Sequence, residues 1–223
     1  MRLGRLFESR RRALAARDHL SHFVEVTGAD LTLVLGGRVA LGLRREFCLL
    51  QLGIGRHATV AITASQFEHA VIYDPVKNEE FTASRGDGAH LNGRRIRVSN
   101  RTKLAEAVLS TGIPPGAVDT HLDAYMASLK DFTGQCRGIR RMGSAALDLA
   151  YVAAGRVDGF WELSLSPWDI CAGTLLVREA GGFVGDWRGG DNFFKTGNIV
   201  ASNPKTFRAM VQGLRPHLTP AII

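Results

Sequence analysis

The chain has 223 residues, 45% of them hydrophobic and 22% charged, with a net charge of +7 and a pI near 9.8. This suits one soluble globular domain, or two small ones, with ample core. No run of eighteen apolar residues is present, and the basic N-terminus has no apolar signal core, so a membrane span and secretion are both excluded as expectations.

Cys48, Cys136 and Cys171 are scattered and lack C-x-x-C spacing, which fits a reducing cytoplasm and no disulfide framework. The charge is uneven. Residues 1–66 carry ten Arg, no Lys and five acids, so most of the excess sits in the first third. A basic arm suits RNA or another acidic partner, but charge alone is unspecific and a solvated basic surface is the favoured reading.

In chain order, the pattern predicts a helix at about 5–20 and strands near 31–35 and 58–64. "FEHAVIYDP" reads as a strand ended by Asp74-Pro75. "EEFTASRGDGAHLNGRRIRVS" reads as strand, Gly turn at Gly86 and Gly88, and further strand with a turn at Asn92-Gly93. "AEAVLSTGIP" is a short strand and "AYMASLKDF" a helix. "GIRRMGSAALDLAYVAAGRVDGFWEL" reads as strand, turn, Ala-rich helix and strand. "NIVASNP" is a late strand, and Pro204 opens a last helix carrying Phe207, Met210, Val211 and Leu214.

One segment, "SPWDICAGTLLVREAGG", carries its own start and stop signals. Ser166 suits an N-cap and Pro167 a first helical residue. Asp169 then falls in the first turn, where the helix dipole favours its charge, and Gly181-Gly182 ends the helix in a left-handed turn. Local structure explains half of this motif. The other half is the single acid.

Here the residues resemble a known family. "WDICAGTLLVREAGG" looks like the C-terminal signature of the inositol monophosphatase family. "YDPVKNEEFTASRGDGAHLNGRRIRVS" is similar to its middle hairpins, and "RRMGSAALDLAYVAAGRVDGFWE" to its substrate-side strand and helix. The three blocks keep the family's order across about residues 67–215. The likeness is greatest to bacterial suppressor-type members, which also act in ribosomal RNA transcription antitermination. The resemblance implies an α/β (α+β) layered αβαβα sandwich, often a homodimer, that hydrolyses phosphate monoesters with Mg2+.

Carried over by position, the resemblance makes Asp169 a catalytic carboxylate that binds the metal and a substrate hydroxyl. Glu162 matches an acid that hydrogen-bonds the inositol ring. Gly143, Ser144 and Ala145 match a turn lining the substrate, and Arg140 a substrate-contacting Arg. Asp169 is expected at a helix N-terminus, in a cleft that also exposes Glu162 and the Gly143–Ala145 turn. Mg2+ wants hard oxygens in an octahedron, and with them it polarises the phosphoryl oxygen and activates water.

The family's main metal motif, Asp-Pro-Ile/Leu-Asp-Gly-Thr with a Gly-Glu-Glu upstream, is absent. Near residues 41–46, where it belongs by distance, the chain reads "LGLRRE". The acids Glu8, Asp18, Glu25, Asp30 and Glu46 lack its spacing. Residues 1–66 are therefore expected to be an aberrant or diverged segment, out of frame or rearranged, joined to a family body at 67–223. Other candidates are weaker. His19 and His22 have no completing ligand, Ser144 suits a helix cap, and Cys171 a small buried residue. Two functions remain: a Mg2+-dependent phosphatase of inositol phosphates, impaired by the missing ligands, or a non-catalytic factor that binds the transcription machinery.

Overall fold

The computed structural model describes residues 24–26, 31–33, 46–52, 58–64, 66–113 and 115–222. The expected helix at 5–20, with His19 and His22, and the "LGLRR" of the metal-motif position lie outside them. Strands β1 (Val24–Val26) and β2 (Leu31–Leu33) form a small antiparallel pair.

Six strands then follow one another as an antiparallel meander. They are β3 (Glu46–Leu52), β4 (Ala58–Ala64), β5 (Gln66–Asp74), β6 (Glu79–Ser84), β7 (Gly88–Leu91) and β8 (Arg94–Ile96), in that spatial order. β4 falls where the sequence predicts it. β3 does not stand out in the sequence, because its apolar run has no alternation; pairing with β4 in register, from Glu46 against Ala64 to Leu52 against Ala58, supplies the constraint.

A second sheet has the order β10-β9-β11-β13-β12. Its strands are β9 (Val108–Thr111), β10 (Gly138–Arg140), β11 (Gly159–Glu162), β12 (Phe183–Gly185) and β13 (Ile199–Ser202). β10, β9 and β11 are mutually parallel, while β13 and β12 run antiparallel to their neighbours. The helices are α1 (Pro115–Gln135), α2 (Ala145–Ala153), α3 (Pro167–Glu179), α4 (Phe193–Thr196) and α5 (Pro204–Leu214).

The period-two alternation of β11 explains how the layers assemble. Phe160 faces one core with Ile72, Phe81, Leu149, Ile170, Leu176 and Ile199. Trp161 faces the other with Leu109, Tyr125, Phe132, Val200, Met210 and Leu214. Helices α2 and α3 are thus packed between the two sheets, and α1 and α5 cover the far face of the five-stranded sheet. Each buried large side chain in these cores is worth about 1.5–3 kcal/mol. Among the described residues the layers alternate β, α, β, α, which are four of the five layers of the expected αβαβα sandwich. Among the described residues no helix is long and apolar enough to cross a membrane.

The ends of α3 bear out the local reading. Pro167 is its first residue, Asp169 lies in the first turn and Gly181 has φ +87°. Gly181 N–H bonds Arg178 O at 3.0 Å and Gly182 N–H bonds Val177 O at 2.8 Å, the paired bonds of a Schellman stop.

Candidate functional site

The parallel strands β10, β9 and β11 end on the same side. Arg140 closes β10 opposite Ser110 of β9, and Thr111 lies opposite Trp161 of β11. One residue further, Gly112 meets Glu162. A Cβ on Gly112 would lie 2.5 Å from Glu162 Oε1, so only glycine lets the carboxylate rest there. Carboxyl ends of parallel strands are where open α/β sheets place ligand sites.

Glu162 faces the α2 and α3 side of the sheet, as Phe160 does. Burial, with the charges of Asp148 and Asp169 near it, pushes its carboxyl up to about 8, against the pull of Arg141. Asp148, on the first turn of α2, is pushed up by burial to about 7, against the Ser110 hydroxyl and the Ser144 backbone. The hydroxyl faces it, yet neither Ser110 Oγ nor Asp148 Oδ1 has a partner at hydrogen-bonding geometry. Burial raises the Tyr125 hydroxyl of α1 too, against a smaller pull from the Thr111 hydroxyl.

Asp169 is half-buried at the start of α3. Its Oδ2 accepts the Ser166 N–H at 2.9 Å, and its own N–H donates to Ser166 O at 2.9 Å. The carboxylate therefore braces the helix start. Asp169→Ala is expected to cost about 1 kcal/mol of stability, and Asp169→Asn, which keeps an acceptor oxygen, only a few tenths. Urea unfolding of both variants checks this.

The residues singled out from sequence are placed as follows. Glu162 and Asp169 are close enough for each to feel the other's charge. Glu162 is not open to solvent, as the cleft expectation had it, but only 7% exposed. Arg140 is exposed and its Nη1 bonds the neighbouring Ile139 O at 3.0 Å. Gly143 has φ +84°, and Ser144 caps α2 by accepting the Leu147 N–H at 3.4 Å. This turn delivers α2, and with it Asp148. Sequence reading missed Asp148, Arg141 and Gly112. The signal for Asp148 was present: a lone acid inside an Ala- and Leu-rich helix must be buried with the rest.

A profile of the inositol monophosphatase family matches residues 59–218. The chain belongs to that family. It is 53% identical over 171 residues to the Nus factor SuhB of Pseudomonas aeruginosa, an alignment covering 74% of this chain and 63% of that protein. It is 47% identical over 154 residues to an inositol-1-monophosphatase of Mesorhizobium japonicum, covering 69% and 58%. Less than two thirds of either relative's length is therefore spanned.

Among solved structures, the extragenic suppressor protein suhB from Bartonella henselae superposes with a TM-score of 0.69 at 44% identity, covering 73% of this chain and 63% of that one. An IMPase of Thermotoga maritima superposes with a TM-score of 0.72 at 25% identity, covering 94% and 93%. The layered fold is thus that of the inositol monophosphatase family.

The donor set tests the family's Mg2+. Among the described residues no three His, Cys, Asp or Glu side chains are placed to share a metal ion. One oxygen of Asp169 already accepts a backbone bond. A hard cation needs several anionic oxygens, so the described residues do not make a Mg2+ site. What they can do is different: a neutral Glu162 donates a hydrogen bond, and Arg141 supplies positive charge beside it.

Proposed function

We propose that the chain acts as a non-catalytic binding factor in ribosomal RNA transcription antitermination, with the transcription machinery as its partner. The observation that carries this reading is that, among the described residues, no three Asp, Glu, His or Cys side chains are placed to share a cation. The 53% identity to proteins called Nus factor SuhB, in Pseudomonas aeruginosa and Escherichia coli, supports it. In this reading residues 67–223 are the working body and 1–66 an aberrant or diverged segment.

A second reading is favoured by the Mesorhizobium relative and by Asp169 at a helix start on the strand-end side. It is hydrolysis of inositol phosphates with Mg2+. Asp169 would then be the metal ligand and catalytic carboxylate, and Arg140, Gly143, Ser144, Ala145 and Glu162 would hold the substrate. Phosphoryl transfer is largely positioning and charge stabilisation, and each ~1.4 kcal/mol of lost stabilisation costs about tenfold in rate.

Two assays separate the readings. The chain is expected to restore readthrough of a ribosomal terminator reporter in bacteria lacking their SuhB relative. It is expected to release phosphate from inositol-1-phosphate no faster with Mg2+ than without. Enzyme-like turnover that Asp169→Asn abolishes would reverse the order of the two readings.

A further inference from the structure

We propose that β8 and the residues leading on to Lys103 form a docking strip for the phosphate backbone of a single-stranded nucleic acid. From Arg94 to Lys103 the chain carries Arg94, Arg95, Arg97, Arg101 and Lys103 and no acid. Arg101 pairs with Asp158 at 3.3 Å, and Lys103 with Glu106 at 3.6 Å. Arg94, Arg95 and Arg97 are exposed and have no carboxylate partner among the described residues. Three guanidiniums in four residues, none of them in a salt bridge among the described residues, concentrate positive charge here, tempered at Arg95 by Glu179, whose Oε2 accepts the Gly88 N–H at 2.9 Å.

The geometry suits a chain lying along an edge. β8 is the last strand of the six-stranded sheet, paired only with β7 among the described residues. Arg95 lies opposite His90 and Arg94 opposite Leu91, so strand alternation sends the two side chains to opposite faces. A flexible backbone threading the edge reaches both; a rigid duplex reaches one. Arg95 is also held in place. Its Nη2 would lie 3.0 Å from a Cβ on Gly88, so the guanidinium rests across bare glycine. A single charge commonly blunts a sheet edge against aggregation, and this edge strand carries two, with Arg97 one residue beyond it.

The chemistry favours phosphate over a protein partner. All three cations are Arg, whose planar fork matches phosphate oxygens. Protein interfaces need buried apolar or aromatic anchors. The exposed large hydrophobic side chains among the described residues are Val76, Leu122, Met126, Met142, Trp168 and Phe183, none of them in the strip. Contacts to phosphate carry no sequence information, so binding through the strip is independent of sequence.

The test is fluorescence anisotropy of the full chain with a labelled mixed-sequence 20-mer of single-stranded RNA, titrated at several salt concentrations. Affinity should fall linearly with salt on logarithmic axes, and Arg94→Gln/Arg95→Gln/Arg97→Gln should flatten the slope by about 2, as three lost phosphate contacts on a single strand require. The matched control Arg188→Gln/Arg208→Gln/Arg215→Gln removes as much charge elsewhere and should leave the slope unchanged. Arg94→Lys/Arg95→Lys/Arg97→Lys should keep it, which separates lost charge from lost folding. Equal losses in the strip and control variants would reduce the effect to net charge and overturn the proposal. So would no RNA binding, or tighter binding of a polyglutamate peptide or of duplex RNA. The readout uses neither phosphatase nor reporter activity, so it stands or falls apart from the proposed function.

Discussion

Gly197→Ala is expected to lower the melting temperature by about 10 °C. Gly197 has φ +74°, where a side chain costs ~1–2 kcal/mol. The greater part of the cost is steric. A Cβ there would sit 2.2 Å from Leu165 O and 2.5 Å from Leu165 N, which are backbone atoms and cannot rotate away. Gly197 O also accepts the Leu165 N–H at 3.0 Å, so relief of the clash breaks that bond. A total of about 3–4 kcal/mol at roughly 2–4 °C per kcal/mol for a chain of this size gives the shift. Leu165 immediately precedes Ser166, so the distortion enters the start of α3 and moves Asp169. Gly134→Ala is the contrast, since a Cβ on it meets nothing within 4 Å inside α1. It should be neutral or stabilising by up to ~1 kcal/mol. Thermal unfolding of both variants by circular dichroism decides; a Gly197→Ala midpoint within a degree or two of the parent would refute the packing argument.

Stability should fall as pH rises from about 5 to 8.5. Glu162 goes from an ordinary 4.5 to about 8 in the folded protein, and Asp148 from 3.8 to about 7. Between those limits the folded state holds protons that the unfolded chain has released. Below the unfolded values both states are protonated and no penalty exists; above the folded values the full penalty is present. One unit is 1.36 kcal/mol, so Glu162 alone amounts to on the order of 4 kcal/mol. The two carboxyls interact, and their penalties do not simply add. Urea unfolding at the two pH values should show the loss, and Glu162→Gln should remove half of it or more. Millimolar Mg2+ at pH 8.5 should leave the midpoint unchanged. A marked rise would mean that the carboxyls bind a cation when folded.

What the sequence makes legible depends on how far apart the determinants lie. α3 is readable because Ser166-Pro167 and Gly181-Gly182 act within one turn of the ends they define. Asp169 and Glu162 are readable because family blocks carry them at a fixed short spacing. For Asp148 only the burial is readable, from its apolar helix; its place in the site is not, because its neighbours Ser110 and Glu162 come from β9 and β11 and nothing near it in the chain announces them. Gly112 is silent for the same reason: its need to be glycine comes entirely from a carboxylate on another strand. β3 becomes a strand through its partner β4, since its own residues have no period.

The two sheets also differ in what their assembly demands of the chain. In the six-stranded sheet, spatial order and chain order coincide, and each strand pairs with the one that precedes it by only a few residues in the chain. Closing such loops costs little conformational entropy. The five-stranded sheet interleaves its strands, and β9 pairs with β11 in a register that sets Leu109 beside Gly159, with α1, β10 and α2 threaded between. Rapid zipping of the meander can thus precede the costly long closures, and the helices α2 and α3 that cover it become the surface on which the slower sheet condenses. The strand ends that bring Glu162 to Asp148 and Asp169 belong to that slower sheet. The site is then among the last parts of the molecule to acquire its geometry, and the edge strand β8 among the first.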